Sequence, residues 1–457
     1  MENRKQLFGH PVGLYYLFFT ELWERFSFYG MRALLVLFLV SSVDGANPGF
    51  GWSEAEALSL YGIYSFLVYL SSIPGGILAD KWLGQKKAVF VGGILLVAGH
   101  SILAVQALWA FYTGIALIIA GVGCLKPNIS TMVGGLYKPG DDRRDKAFTI
   151  FYIGINTGAF LAALIVGYVG EVYNWHYGFG LAGLGMLIGQ IVFISGKKHL
   201  EGVGEAPGVQ SAKSKALQNT ALTKIEKDRI IVMLISFLLI IVFWGAFEQA
   251  GGLMNLYADQ KTDRMIAFLN WEVPATWFQS LNPFFIMTLG VPIAAFWYNW
   301  KKKGKESSSI LKIAIGVIIM GWGFLFMAAA SMQFQNNGSS AMYWLVLAYL
   351  FHTVGELCSS PVSLSYITKL APAKYASIMM GVYFAATGLG NYAAGWVGVW
   401  SQTAGEMEIF LGIAAFCTVA GLLVLAILKP LRRLAHGAED IEPDAFENTE
   451  QIEVKPA

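Results

Sequence analysis

The sequence predicts an all-α integral membrane protein with twelve transmembrane helices in two six-helix bundles. Of its 457 residues 56% are hydrophobic and only 14% are charged, whereas a soluble protein of this length would have roughly a quarter of its residues charged. Apolar runs of about 20 residues, the length that spans a bilayer as a helix, recur along the chain. A polar segment at 196–228 divides these runs into two sets of six.

A search with that window places the spans at residues 11–41, 53–79, 88–109, 111–136, 147–170, 174–196, 229–259, 273–300, 308–332, 341–369, 375–400 and 406–429. Of the 32 Lys and Arg residues, 27 fall in the tails and in alternate loops. Because cytoplasmic loops retain positive charge during insertion, both termini are expected to be cytoplasmic. We expect a multi-pass protein of the plasma membrane, the inner membrane of a bacterium.

Four units follow from this division of the chain. Residues 1–196 are the predicted N-terminal six-helix bundle and 229–433 the C-terminal one. Residues 197–228, rich in Lys, Glu, Gly and Ala, are the predicted cytoplasmic linker between them. Residues 434–457 are acidic and poor in apolar side chains, a composition typical of a disordered tail.

The first span contains the stretch ELWERFSFYGMR, with four ionisable groups in an otherwise apolar run. At about 100° per residue, one face of the helix carries four of its polar side chains: Glu21, Arg25, Tyr29 and Arg32. A charge at this depth costs about 2.5 to 3.5 kcal/mol, so the face must point to protein or water. It forms either an inward-facing site or an ion-pair ladder within the helix, since residues four apart are neighbours on a helix surface.

Further charges lie in the equivalent span of each three-helix unit. Lys126 is in span four, Glu248 in span seven and Glu356 in span ten. With the first span they make four carboxylates against three cations, so one carboxylate lacks a cationic partner. Burial disfavours the charged form of such a group, which makes it a candidate to take up a proton.

Several other functions are not supported by the sequence. The three cysteines, Cys124, Cys358 and Cys417, lie in separate apolar spans without metal-ligand spacing, so we interpret them as packing residues. No hydrolase or metalloprotease motif suggests an enzyme. No basic patch is interleaved with aromatic residues as nucleic-acid binding would require. A receptor without transport activity stays open as an alternative.

Specific motifs occur at the charged positions. They are E-x-x-E-R-F-x-x-Y-G at 21–30, G-x-L-K-P-N at 123–128, F-Y-x-x-I-N-x-G at 151–158, W-F-Q-S-L-N-P at 277–283 and G-E-L-x-x-S-P at 355–361. With these motifs the sequence resembles the proton-dependent oligopeptide transporters (POT, or PTR, family) of the major facilitator superfamily. The resemblance covers nearly the whole membrane region.

This resemblance implies the major facilitator fold and a monomer without cofactor that imports dipeptides and tripeptides with protons by alternating access. It implies these substrate-binding residues: Arg25, Tyr29, Arg32, Tyr64, Tyr69, Lys126, Asn156, Trp244, Asn282, Glu356, Ser360 and Tyr383. It implies proton-coupling roles for Glu21, Glu24, Glu248 and Glu356. It also implies two gating salt bridges between the halves, Arg32 with Glu248 and Lys126 with Glu356.

The sequence departs from the family pattern in three ways. The polar segment 196–228 cannot supply the two additional helices of many bacterial members, and no histidine occurs on the second span, where animal members have one. Tyr383 stands where many members have Trp, which bears on side-chain preference. The alternative within the family is a carrier of nitrate or another small organic anion. A complete first-span motif and Glu356 argue against it, because a lone anion needs no carboxylate to bind an amine.

Overall fold

The computed structural model describes residues 5–138, 141, 143–205, 222–372 and 375–439. Half of the predicted linker, residues 206–221, lies outside this part of the chain, and so does the predicted disordered tail from residue 440 onward.

The first half of the chain forms six long helices, which are α1 (Val12–Val40), α2 (Glu54–Leu78), α3 (Gln85–Leu103), α4 (Leu108–Gly135), α5 (Arg143–Tyr168) and α6 (Trp175–Gly196). The second half contains α7 (Lys224–Phe247), α8 (Leu253–Gln260), α9 (Leu281–Lys302), α10 (Ser309–Asn337), α11 (Tyr343–Leu370), α12 (Ala376–Ala404), α13 (Glu406–Ala426) and α14 (Leu428–Leu434). The described residues also contain three pairs of two-residue strands: Gln6–Leu7 with His10–Pro11, Thr262–Asp263 with Ser340–Ala341, and Met265–Ile266 with Trp271–Glu272.

The all-α membrane prediction is confirmed. Within the described residues, ten of the helical segments are long and apolar enough to cross a membrane. Helices α1 and α12 are of similar length, 29 residues each, and α1 holds four charged side chains that lower its hydropathy. In the part of the chain that the structure describes, twelve helices of 19 or more residues overlap the twelve predicted spans, which is consistent with the predicted count.

The seventh and eighth spans differ in detail from their predicted boundaries. Helix α7 begins at Lys224 because Thr223 and Glu226 form a capping box, in which each side chain accepts the other residue's backbone N–H. It ends at Phe247 and is followed by a 3₁₀ turn, Glu248–Ala250. Helix α9 is preceded by a 3₁₀ helix, Ala275–Ser280. Hydropathy cannot show such breaks, because the residues on both sides of them are equally apolar.

The helices of each half pack mainly against one another. Helix α1 packs against α5 and α6, and α3 packs against α4 and α6. In the second half α10 packs against α11 and α13. The two halves meet where α2 contacts α12 and where α5 contacts α9. Gly62 and Gly395 allow the first of these contacts, because a Cβ added to Gly62 would lie 2.8 Å from the Cα of Gly395.

Polar contacts join the halves at what we call the distal end, where α1 ends and α2 begins. The indole of Trp277 donates to the carbonyl of Leu164 over 3.0 Å. The amide of Asn255 donates to the carbonyl of Ala33 over 2.9 Å. Since the chain begins at the opposite end of α1, the distal end lies away from the described N-terminal residues.

Candidate functional site

A cavity of about 220 Å³ lies between the two halves. Nine of the twelve residues predicted to bind substrate line it: Arg25, Tyr29, Arg32, Lys126, Asn156, Trp244, Asn282, Glu356 and Ser360. Glu21 also lines it. The inward face predicted for α1 therefore points into a cavity between the halves, and the ion pairs within the helix form part of its wall.

Arg25 lies between the two carboxylates of the first motif. Its Nε is 3.0 Å from an oxygen of Glu21 and 2.5 Å from an oxygen of Glu24. All three side chains are buried, and Glu24 is fully buried behind the cavity wall. Of the two carboxylates only Glu21 faces the cavity. Of the two carboxylates on α1 predicted to take part in proton coupling, Glu21 can therefore contact a ligand in the cavity, and Glu24 cannot.

The ammonium group of Lys126, on α4, lies 3.8 Å from the centre of the Tyr69 ring. This is a close cation–π contact, which stabilises the charge more when it is desolvated. The expected salt bridge between Lys126 and Glu356 is not formed among the described contacts of this structure. The two side chains come from different halves, so the separation of the halves decides whether they can meet.

The expected pair of Arg32 with Glu248 is formed. Arg32 Nη2 and Nε donate to the two carboxylate oxygens of Glu248 over 2.7 and 3.3 Å. Gln279 accepts from Arg32 Nη1 over 3.1 Å, and the hydroxyl of Tyr61 donates to Glu248 over 3.0 Å. A planar fork of this kind is stronger than a neutral hydrogen bond. This group of hydrogen bonds links α1 and α2 of the first half to the 3₁₀ turn that holds Glu248 and the 3₁₀ helix that holds Gln279 in the second half.

Gly251 permits this arrangement. A Cβ added there would lie 2.0 Å from the hydroxyl oxygen of Tyr61 and 2.9 Å from Cζ of Arg32. The break after α7 therefore brings the backbone close to the ion pair, and any larger residue would displace Tyr61 and Arg32 from Glu248.

On the other side of the cavity, Glu356 extends from α11 and meets Asn282, the second residue of α9. The amide of Asn282 donates to Glu356 over 2.7 Å and to the hydroxyl of Thr353 over 3.2 Å. Within the described residues no cation pairs with Glu356. Its charge is thus oriented by a neutral amide and directed to the cavity.

Three predicted substrate-binding residues do not line this cavity. Tyr64 is 1% exposed and packs beside Phe28, with 6.5 Å between the ring centres. Tyr69 supports Lys126 and lines a small neighbouring cavity. Tyr383 is also buried, at 7% exposure. Neither Tyr64 nor Tyr383 therefore borders the cavity between the halves in this conformation.

Four residues of the site were not predicted from the sequence. Tyr61 and Gln279 bind the ion pair directly, and Tyr152 and Tyr349 line the cavity. Gln279 belongs to the W-F-Q-S-L-N-P motif, which was a usable signal. Tyr61 precedes Tyr64 by three residues and so shares its helix face, but it was not distinguishable from the other aromatic residues of α2 without the tertiary structure.

All three cations that line the cavity, Arg25, Arg32 and Lys126, come from the first half. The first half also contributes Glu21, which pairs with Arg25, whereas the carboxylate of Glu356 comes from the second half and pairs with none of these cations. A molecule with an anionic end and a cationic end can satisfy both sides at once. Charge-assisted hydrogen bonds to such ends place few demands on what lies between them.

Comparisons with known proteins agree on one family. A family model described as the POT family matches residues 86–227 and 205–406. A peptide transporter of Yersinia enterocolitica is 35% identical to this chain, over 95% of this chain and 97% of the relative. A di-/tripeptide transporter of Lactococcus lactis subsp. cremoris is 34% identical, with 95% and 98% covered.

The fold has a similar counterpart among solved structures. A crystal structure of a peptide transporter POT variant in complex with alafosfalin superimposes with a TM-score of 0.86. It is 37% identical and covers 94% of this chain and 97% of its own. At this level of similarity the helical arrangement of the two proteins is shared.

Proposed function

The chain belongs to the POT family, and on that premise we propose that it is a proton-coupled symporter that imports dipeptides and tripeptides by alternating access between its two helical bundles. The relatives named above are a peptide transporter and a di-/tripeptide transporter. The protein is a multi-pass membrane protein. We propose that it lies in the bacterial inner membrane with both termini on the cytoplasmic side. We further propose that it functions as a monomer.

The observation that carries this proposal is the opposition of charges in one cavity. Arg25 and Lys126 line one side, and Glu356, oriented by Asn282, lines the other. A peptide zwitterion has its carboxylate at one end and its amine at the other, so it matches both sides. Nitrate or another small anion needs no carboxylate in the site, which makes that alternative the weaker fit.

We assign the coupling to protons to the pair of Arg32 and Glu248. Protonation of Glu248 removes the negative charge and frees the Arg32 guanidinium, which then turns to the peptide carboxylate. The pair also ties the first half to the second at the distal end. Its release therefore loosens the contact that must open to admit a peptide from outside.

The second step involves Lys126 and Glu356. They are apart in this structure, and polar contacts between the halves lie at the distal end, which suits a state that faces the cytoplasm. We assign the two rigid units to residues 1–196 and 229–433. Their approach on the cytoplasmic side pairs Lys126 with Glu356, and peptide binding competes with that pair.

The test is uptake of radiolabelled dialanine into proteoliposomes with and without an inward proton gradient. We expect gradient-driven uptake that excess tripeptide inhibits and that nitrate and free amino acids leave unchanged. In Glu248→Gln the gradient should no longer accelerate uptake, whereas exchange of peptide across the membrane persists. Uptake by this variant that remained fully proton-driven, or inhibition of wild-type uptake by nitrate alone, would refute the proposal.

A further inference from the structure

A second and larger cavity lies outside the peptide site, in the second half of the chain. It has a volume of about 940 Å³ and lies among the α9 to α10 connection, the end of α11 and the segment after α13. These segments share the side of the membrane that holds the chain termini. Seven Lys and Arg side chains and two Glu side chains line the cavity, an excess of five positive charges.

The two acidic side chains are already occupied. Glu306 pairs with Arg432. Glu439 accepts hydrogen bonds from the backbone N–H of Ser309, over 2.9 Å, and from its hydroxyl at the N-terminus of α10. Among the described residues, the other six cations of the cavity have no ion-pair partner.

Three of these unpaired ammonium groups converge from three helices. Lys301 lies near the end of α9, Lys312 in the first turn of α10 and Lys369 at the end of α11. The charge of Lys312 is repelled by Lys301 and Lys369 and attracted by Glu439, whose carboxylate is shared with Ser309. The retention of Lys and Arg in cytoplasmic loops explains their number. It does not explain why they share one concave surface, where like charges repel. Such an arrangement is stabilised by an anion between them.

An aromatic cluster shows at which depth this cavity lies. Phe296, Trp297 and Trp300 pack with ring centres 5.3 to 6.3 Å apart at the end of α9. The ammonium of Lys312 lies 5.3 Å from the centre of the Trp297 ring, and that of Lys305 lies 4.2 Å from the centre of the Trp300 ring. Amphipathic aromatic rings concentrate at the level of the lipid headgroups. The convergent cations therefore lie where a headgroup phosphate is available.

We propose that this basic cavity binds the phosphate of an anionic phospholipid headgroup from the cytoplasmic leaflet. The ligand chemistry is a phosphate with a net negative charge, held by Lys301, Lys312 and Lys369. Basic pockets between transmembrane helices are suited to such headgroups. The site is separate from the peptide cavity, so a failed peptide-transport test leaves this proposal standing, and the reverse also holds.

The test uses the purified full-length chain in detergent with dioleoylphosphatidylglycerol, dioleoylphosphatidylcholine or inorganic phosphate. Lipid binding is measured by native mass spectrometry and by the thermal shift. We expect phosphatidylglycerol to bind and to raise Tm, and phosphatidylcholine to do neither. The triple variant Lys301→Gln, Lys312→Gln, Lys369→Gln should bind phosphatidylglycerol about a hundredfold more weakly, since each surface lysine contributes about fivefold.

The matched control is Lys81→Gln, Lys87→Gln, Lys198→Gln, which removes the same charge from exposed positions of the first half. It should retain the full affinity. Should the triple variant not fold, Lys301→Gln with Lys369→Gln alters only exposed side chains and should lose about 25-fold. Equal losses in variant and control, or equal binding of both lipids, would overturn the proposal. A shift with inorganic phosphate in place of the lipid would overturn the assignment to a headgroup.

Discussion

Among the described residues, Glu356 is the only acidic residue of the second half that lines the peptide cavity. We predict that Glu356→Gln raises the KM for dialanine about 10- to 150-fold, because a hydrogen bond to a charged group contributes about 1.5 to 3 kcal/mol. Competition assays in proteoliposomes measure this. The control ligand is N-acetyl-dialanine, which has no charged amine and should bind the wild type more weakly than dialanine does. Its affinity should be the same for the wild type and for Glu356→Gln. Equal losses for both ligands would show that Glu356 does not bind the amine.

Gly251 gives a second prediction at the scale of one residue. Gly251→Ala should reduce proton-driven uptake at least about tenfold, because its Cβ displaces Tyr61 and Arg32 from Glu248 and a buried charged hydrogen bond is worth at least about 1.5 kcal/mol. The matched control is Gly412→Ala, where a Cβ meets no atom within 4 Å. Uptake is measured at equal protein amounts in the liposomes. Wild-type rates in Gly251→Ala would contradict the role given to this ion pair.

At the scale of elements, the turn after α5 holds the 3₁₀ helix Ala275–Ser280 of the opposite half. The carboxylate of Glu171 accepts from the backbone N–H groups of Ala275 and Thr276 over 2.7 and 3.0 Å. It also pairs with Arg264 over 3.1 Å. A carboxylate at a helix N-terminus satisfies N–H groups that have no partner within the helix. These contacts all cross from one half to the other at the distal end.

We predict that Glu171→Gln shifts the protein toward conformations open at the distal end. Spin labels at the exposed positions Val43 and Phe268, one in each half, should show a larger population at long distances in pulsed electron resonance. The control is Glu272→Gln, since Glu272 pairs with the same Arg264 over 3.0 Å but within its own half. Identical distance distributions for Glu171→Gln and Glu272→Gln would argue that Glu171 is not a contact of the closed end.

For the whole molecule, coupling of peptide entry to proton entry predicts accumulation of the peptide rather than equilibration. One proton entering with each peptide at a membrane potential of 100 mV supplies about 2.3 kcal/mol, enough for an accumulation of about fiftyfold. Dialanine uptake in energised proteoliposomes should exceed the outside concentration, and a protonophore should abolish the excess. Liposomes without protein provide the background. Accumulation that survived the protonophore would rule out proton coupling.

Much of the architecture was predictable from the chain alone. Span positions follow from hydropathy, because a buried backbone in lipid must form helices. The inward face of α1 follows from helical periodicity, which places Glu21, Arg25 and Arg32 on one side. The site was less predictable. Tyr61 donates to Glu248, but it does not stand out among the aromatic residues of α2. Gln279 accepts from Arg32, and only its place in the W-F-Q-S-L-N-P motif pointed to it.

By itself the sequence determined which helices form and which charges enter the membrane, since both depend on interactions between residues close in the chain. Only the tertiary structure decided that Lys126 lies against Tyr69 and not against Glu356, that Tyr64 is enclosed, and that Glu171 crosses to the other half. These contacts join residues far apart in the chain. The contacts of Glu171 depend in addition on how the two halves of the chain are placed relative to each other, which interactions between residues close in the chain do not determine.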